Sequence, residues 1–181
     1  MCDFKTYSAK DHFHRFACWT AARAVQRGFT GAKTAVIAKA IDDIKLAKEF
    51  ENLATQQDLK AALYDKEHER ISKELSAALL RNGALHPNYG QTTKIIAIYF
   101  KTAVLPFHLD TALAKVAHPP IDRQLLENLA KCGKYYKEPK SRAWTKFERD
   151  DYFKCVVRLR EEIGDQPFWM IEECWGSNSV I

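Results

Sequence analysis

Apolar and small residues recur at helical spacing through most of this chain, and no segment sustains the period-two alternation of a strand. Phe13, Phe16, Ala17, Ala21 and Ala24 predict a first helix that opens on Ser8 and stops at Gly28. Asp11, three residues after Ser8, makes a variant of the capping box. Ala35, Val36, Ile37, Ala40, Ile41 and Ile44 predict a second helix from Thr30-Gly31 to about Leu46, and the polar stretch Glu49 to Gln57 reads as a connector. An amphipathic helix follows from about Asp65 to Arg81, with Ile71, Leu75, Ala78 and Leu79 inward and Asn82-Gly83 at its end. Tyr89 to Ala103 leaves little room for a solvated face, so it is expected to be the buried central helix, ended by Pro106.

A short helix is expected at Thr111 to Val116, with Asp110 as its cap. His118-Pro119-Pro120 must be extended, because a residue before proline avoids the helical region. Asp122 then caps or opens Arg123 to Lys131, with Leu125, Leu126 and Leu129 inward and Cys132-Gly133 closing it. Lys134 to Ser141, with Tyr135-Tyr136, reads as a basic surface loop. Lys146 to Ile163 is a helix with Phe147, Tyr152, Phe153, Val156, Val157 and Leu159 inward, and Gly164-Asp165 turns the chain. Pro167 starts a short terminal helix whose aromatics pack on the core, and residues 176–181 read as a loose tail. Nothing marks a domain boundary or an internal repeat. The expectation is one all-α domain over residues 1–181, with about seven helices.

Composition narrows the class. At 181 residues the chain is long enough to bury a proper core, and its few glycines and prolines (7 and 6) argue against disorder and against a turn-rich β fold. No apolar stretch reaches the ~18 residues of a spanning helix, and Met1-Cys2-Asp3-Phe4-Lys5 lacks the pattern of a secretory signal. The 5 cysteines are irregularly spaced without a Cys-x-x-Cys pair, which points to reduced thiols in a cytoplasmic protein with no structural zinc or iron–sulfur site. A net charge of +5 permits a polyanionic partner without requiring one.

Candidate chemistry lies in three places. Arg15, Trp19, Arg23 and Arg27 follow one another at four-residue spacing and share a helix face. A basic stripe holding an aromatic suits a phosphate backbone, and it equally describes a solvated face with Trp19 turned partly inward. Lys94 stands at the start of an apolar helix, where burial and the positive end of the helix dipole both disfavour its charge. Those conditions suit a nucleophilic amine; the alternative is an ordinary ammonium that snorkels to water. Lys101, seven residues on, is a second candidate. Asp122 serves either as a reactive carboxylate or as a plain N-cap. His118 suits a phosphate contact, an acid role or a structural one. His12 and His14 do not share a face, and His14 with Cys18 makes too few ligands for a metal. Glu172 and Glu173 read as helix surface.

Gly90-Gln91-Thr92-Thr93-Lys94 before an apolar helix resembles the hairpin of the helix-hairpin-helix DNA glycosylases. Ile121-Asp122-Arg123 through Leu129 to Gly133 resembles the segment that follows it there, closest to the divergent oxoguanine-glycosylase-like branch. The resemblance covers residues 89–133. It departs from the family at Thr92, which replaces the second hairpin glycine, and in the longer Lys-to-Asp connection through Pro106 to Val116. It implies a glycosylase-like all-α architecture, a DNA partner, no cofactor or metal, Lys94 as nucleophile and Asp122 as its electrostatic partner. Phosphates would be met by Arg15, Arg23, Gly90, Lys134, Lys137, Lys140 and Arg142. A flipped base would lie among Trp19, Tyr99, Phe107, His118 and Trp144. The resulting expectation is a DNA-binding helical protein that excises a damaged or modified base through Lys94 and Asp122. The alternative is a non-catalytic helical module that binds nucleic acid or a protein partner.

Overall fold

Ser8 accepts the Asp11 N–H while the Asp11 carboxylate accepts the Ser8 N–H, so the first helix begins where its capping box places it, as α1 (Ala9–Val25). A computed structural model of the chain describes residues 7–131 and 144–175. Every regular element among the described residues is helical. The core-facing stripe of α1 is Ala17, Cys18, Ala21, Ala22 and Val25. Phe16, expected inward, is half exposed instead: the small stripe lets α1 lie close on its neighbour and turns the larger ring to water.

The second helix starts later and ends earlier than its periodicity predicts. Gly31 takes a left-handed conformation (φ 78°) that stops a helix from running through it, and the loop uses Phe29 and Ala32 as core plugs. α2 (Thr34–Asp43) is followed by Lys45, also left-handed at φ 53°, and then by α3 (Leu46–Ala54). The expected polar connector is thus largely helix. Leu46, Phe50 and Leu53 form an apolar face that its charged residues mask in the sequence. α4 (Ala61–Arg81) begins one turn before its expected start and so adds Tyr64 to a buried face that also holds His68.

α5 (Tyr89–Tyr99) runs through the centre, and every residue from Gly90 to Tyr99 is buried. Its expected last turn is not α-helical. Phe100–Val104 forms a π-helical turn and Leu105–Phe107 a 3-10 turn. Pro106 has no N–H to give to Thr102, and the Leu105 N–H reaches back five residues to the Phe100 carbonyl. α6 (Ala112–Val116) is capped by Thr111, whose hydroxyl accepts the Ala114 N–H, rather than by Asp110. α7 (Arg123–Lys131) starts on Asp122 as expected. A 3-10 turn (Trp144–Lys146) precedes α8 (Arg149–Ile163), on which Val157 is exposed, and the terminal element Phe168–Trp175 is a 3-10 helix. The expected closure at Cys132-Gly133, the loop Lys134 to Ser141 and the tail 176–181 lie outside the described residues.

The core has two lobes. One wraps α5 with α1, α2, α3, α4 and α6; the other joins α7, α8, Phe147 and the terminal 3-10 helix. Trp144 packs on both lobes. Near this boundary lies a buried aromatic cluster where α4 meets α8. The His68 ring stacks on Tyr152 at 5.4 Å, and His118 sits 4.4 Å from His68. A carboxylate only accepts, so His118 donates Nε2–H to Asp65 (2.8 Å), and its Nδ1 accepts the Tyr152 O–H (3.1 Å). Burial drives the His118 imidazole down to about 4, against the pull of Asp65. Burial also holds His68 well below its usual value, and neither His68 ring nitrogen has a hydrogen-bond partner. Arg160 clamps Asp65 with two bonds of 2.8 and 2.7 Å. Those bonds hold the carboxyl far below its usual range although burial alone would raise it.

Because both imidazoles are neutral when folded, the unfolded chain takes up protons that the folded chain refuses as pH falls from about 6.5 to about 4. Stability is therefore full above that window and is lost on acidification. The loss is up to about 1.4 kcal/mol per pH unit per imidazole, or about 3 kcal/mol for His118 across the window. His68→Leu should shallow the slope and, by removing two unpartnered buried nitrogens, leave stability at pH 7 unchanged or higher by about 1 kcal/mol. Urea denaturation at pH 7, 5.5 and 4.5 reads both effects.

Candidate functional site

Lys94 lies on the second turn of α5, a helix without a solvated face, so its ammonium has to be met inside the protein. It is met by Asp122, 28 residues on: Nζ lies 2.9 Å from Oδ2, and each side chain is about nine-tenths buried. The ammonium also sits 4.3 Å above the centre of the Trp144 ring. The other oxygen of Asp122 accepts two bonds at 3.0 Å, from the Leu125 N–H as the cap of α7 and from the indole N–H of Trp175. Trp175 in turn lies 4.9 Å beneath the Lys101 ammonium, which pairs with Glu172. Two lysines, two carboxylates and two tryptophans thus alternate along one continuous network. Burial raises the Glu172 carboxyl, with Lys101 opposing it.

Lys94 and Asp122 therefore converge as their positions at two helix starts suggest, but they converge on each other. An ammonium bonded to a carboxylate and covered by an indole has no lone pair to offer a sugar carbon. Neither side chain lines the cavities beside Tyr99, Phe153, Trp169 or Ser72.

Gly90 is required for a reason other than phosphate binding. A Cβ there would lie 2.0 Å from the Trp144 carbonyl oxygen, so glycine is what lets the Trp144 turn close on α5. Three successive amides at this helix start are engaged. Gly90 donates to the Phe147 carbonyl (3.1 Å), Gln91 to the Asn88 side chain (2.9 Å) and Thr92 to the Asn88 carbonyl (3.1 Å). The Asn88 amide also bonds the Thr145 carbonyl. At the segment that carries the hairpin resemblance, the amides of Gly90, Gln91 and Thr92 thus already have partners within the protein.

The remaining candidates are dispersed. Tyr99 and Phe107 line one cavity with His14. Trp144 covers Lys94, and His118 is sealed in the buried aromatic cluster. Trp19 stands on the outer face of α1, stacked on Phe16 with ring centres 6.1 Å apart. The five expected pocket aromatics come from different sides of the molecule and form no common pocket. Arg15 and Arg23 project from the exposed face of α1 and Arg27 is exposed in the turn just beyond it; among the described residues none of them pairs with a carboxylate. Lys134, Lys137, Lys140 and Arg142 lie outside the described residues. Glu172, expected on a helix surface, is largely buried against Lys101. Neither it nor Trp175 carried a local signal, because their partners lie 71 and 53 residues away.

The buried thiols offer no nucleophile, since burial pushes both Cys18 and Cys155 up to about 12. No group of His, Cys, Asp and Glu among the described residues is arranged to hold a metal. None of their helices is long and apolar enough to cross a membrane. No protein-family model, curated protein or solved structure matches the chain.

Asp122→Asn keeps the cap acceptor but leaves the Lys94 charge buried and unpaired, which should cost about 3–5 kcal/mol. Adding Lys94→Met should restore most of that loss, so the double variant is more stable than the single one. Gly90→Ala should cost at least about 2 kcal/mol, because the clash is with backbone rather than with a flexible side chain. Denaturant midpoints of the four proteins test these orders.

Proposed function

We propose that this chain is a DNA-binding helical protein that engages its partner through the outer face of α1, and that Lys94 and Asp122 form a structural pair rather than a reactive one. The observation that carries this reading is the exposed Phe16–Trp19 stack among Arg15, Arg23 and Arg27. Two large rings left about half in water on one helix contribute little to folding. Three guanidinium groups without carboxylate partners add a positive field around them. Aromatic rings for stacking within a track of cations are the elements that hold a nucleic-acid strand, the rings meeting bases and the arginines meeting phosphates.

The second reading, excision of a damaged base, is favoured by the meeting of Lys94 with Asp122 from separate helix starts. It requires Trp144 and Trp175 to withdraw and the ion pair to open before any amine can attack. The binding reading needs no rearrangement.

Labelled single-stranded and duplex DNA followed by anisotropy should bind with strong salt dependence. Replacing Arg15, Arg23 and Arg27 by Gln should reduce the slope of log affinity against log salt by about 0.7–0.9 for each phosphate no longer neutralised. Trp19→Ala should weaken single-strand binding by about 1–3 kcal/mol. No binding at low salt, or binding indifferent to these changes, would overturn the proposal. Borohydride treatment of a mixture with abasic-site DNA should leave no covalent adduct; an adduct that disappears in Lys94→Ala would establish the excision reading in its place.

A further inference from the structure

Where α1, α3 and the π-helical turn meet, the structure holds a cavity of about 380 Å³ that neither the ion-pair network nor the α1 arginine face uses. It exists because Ala47 of α3 and Ala103 of the π turn line it with methyl groups where larger side chains would fill the space. The π turn is itself a rare backbone form, found disproportionately at functional sites.

The polar wall is a relay of three side chains from three segments. Asp42 lies 3.0 Å from Nε2 of His14, and Nδ1 of His14 lies 2.7 Å from the Tyr99 hydroxyl. A carboxylate only accepts, so Nε2 carries the proton. In that tautomer Nδ1 accepts the Tyr99 O–H. The phenolic oxygen keeps its lone pairs for a donor inside the cavity. Asp11 and Glu51 stand on the same wall as acceptors, and the carboxyl of Asp11 is held low by its bonds to Ser8. Among the described residues Lys10 is the only lysine or arginine of the lining, and it is already paired with Glu51 across the rim. That pair is well exposed, so solvent screens it and a competing cation can displace it. The opposite wall is apolar: Ala103, Val104 and the ring of Phe107, which Phe13 steadies edge-on at 5.1 Å. The described lining thus offers the carboxylates of Asp11 and Glu51, the Tyr99 oxygen and the Phe107 ring, with Lys10 and the imidazoles of His14 and His108 as its other polar groups.

We propose that this cavity is a binding site for a small organic cation, a primary amine carried on an aromatic group. The ammonium sits between the Glu51 and Asp11 carboxylates and donates to the Tyr99 oxygen, while the ring lies against Phe107, Ala103 and Val104. His14 and Asp42 are positioning residues: they fix the Tyr99 hydroxyl so that it accepts rather than donates.

Phenethylammonium titrated into the full chain, followed by amide chemical shifts, tests the site. Saturable binding is expected, with shifts centred on α1, α3 and residues 99–108. 3-Phenylpropionate, similar in shape and opposite in charge, should bind at least about tenfold more weakly, a difference of about 1.4 kcal/mol. Glu51→Gln should weaken the amine at least about fivefold. Tyr99→Phe, which keeps the ring and removes the acceptor, should weaken it about threefold or more. Ala103→Phe should abolish binding by filling the space. Should that variant unfold, Tyr99→Phe and Glu51→Gln carry the test. The proposal is overturned by no saturation up to about 10 mM, by equal affinity for the carboxylate, or by amine binding that survives these substitutions.

Discussion

A lysine in a helix that has no solvated face must be given an anion, and that requirement shapes the second lobe of the molecule. Desolvating an ammonium costs several kcal/mol even after relaxation, so Lys94 is tolerable inside α5 only with Asp122 at 2.9 Å. Asp122 can stand there because Pro119 and Pro120 hold the approach extended and because its second oxygen caps α7. The Trp144 turn closes over the ammonium, and Gly90 is what allows that turn to reach the helix. Trp175 completes the carboxylate from the far end of the described chain. One charge thus fixes the relative positions of α5, α7, the Trp144 turn and the terminal 3-10 helix. Such a pair adds little net stability over an apolar substitute, but it penalises any arrangement that separates its members.

Signals that are local in sequence were legible before the structure, and those that depend on distant partners were not. The capping boxes at Ser8 and Asn88 act over three residues, and the first was readable as a start signal. The burial of α5 was legible because its apolar run left no polar face. Asp122 as a cap was equally local, whereas its bond to Lys94 was only a hypothesis carried by a resemblance. α3 was missed because polar and charged residues surround its three buried apolar ones, although Leu46, Phe50 and Leu53 fall at helical spacing. The π turn follows from Pro106, but a proline read as a stop does not reveal that the helix widens before it ends. Trp175, Glu172 and the relay through His14 owe their roles to partners 53 or more residues away or, for His14 with Asp42, on separate helices.

Polar groups in this protein fall into two populations with different physical demands. The buried ones, such as Lys94, Asp122 and His118, are mostly bonded to each other or to a half-buried partner such as Asp65, as low dielectric requires. His68, with both ring nitrogens unbonded, is the largest of the exceptions, which also include the Ser72 hydroxyl. The arginines of α1 are bonded to no carboxylate among the described residues and sit in water beside exposed rings. The demands of the first population explain why the residues with the most suggestive chemistry in the sequence are the ones turned away from solvent.

The π turn ties these regions together. Lys101 leaves it on one side to pair with Glu172 and rest over Trp175, so it belongs to the network that ends at Lys94. Ala103 and Val104 leave it on the other side to line the cavity beside Tyr99. A backbone of five residues therefore carries contacts to both places, and its geometry is set by a proline that cannot be hydrogen-bonded into a regular helix. Restoring a regular α-helical turn there would rotate the later side chains about the helix axis. That rotation would break the Lys101–Glu172 pair and reshape the cavity wall at once. The widened turn is thus a shared constraint: the Lys101–Glu172 pair and the cavity wall at Ala103 and Val104 both depend on its geometry.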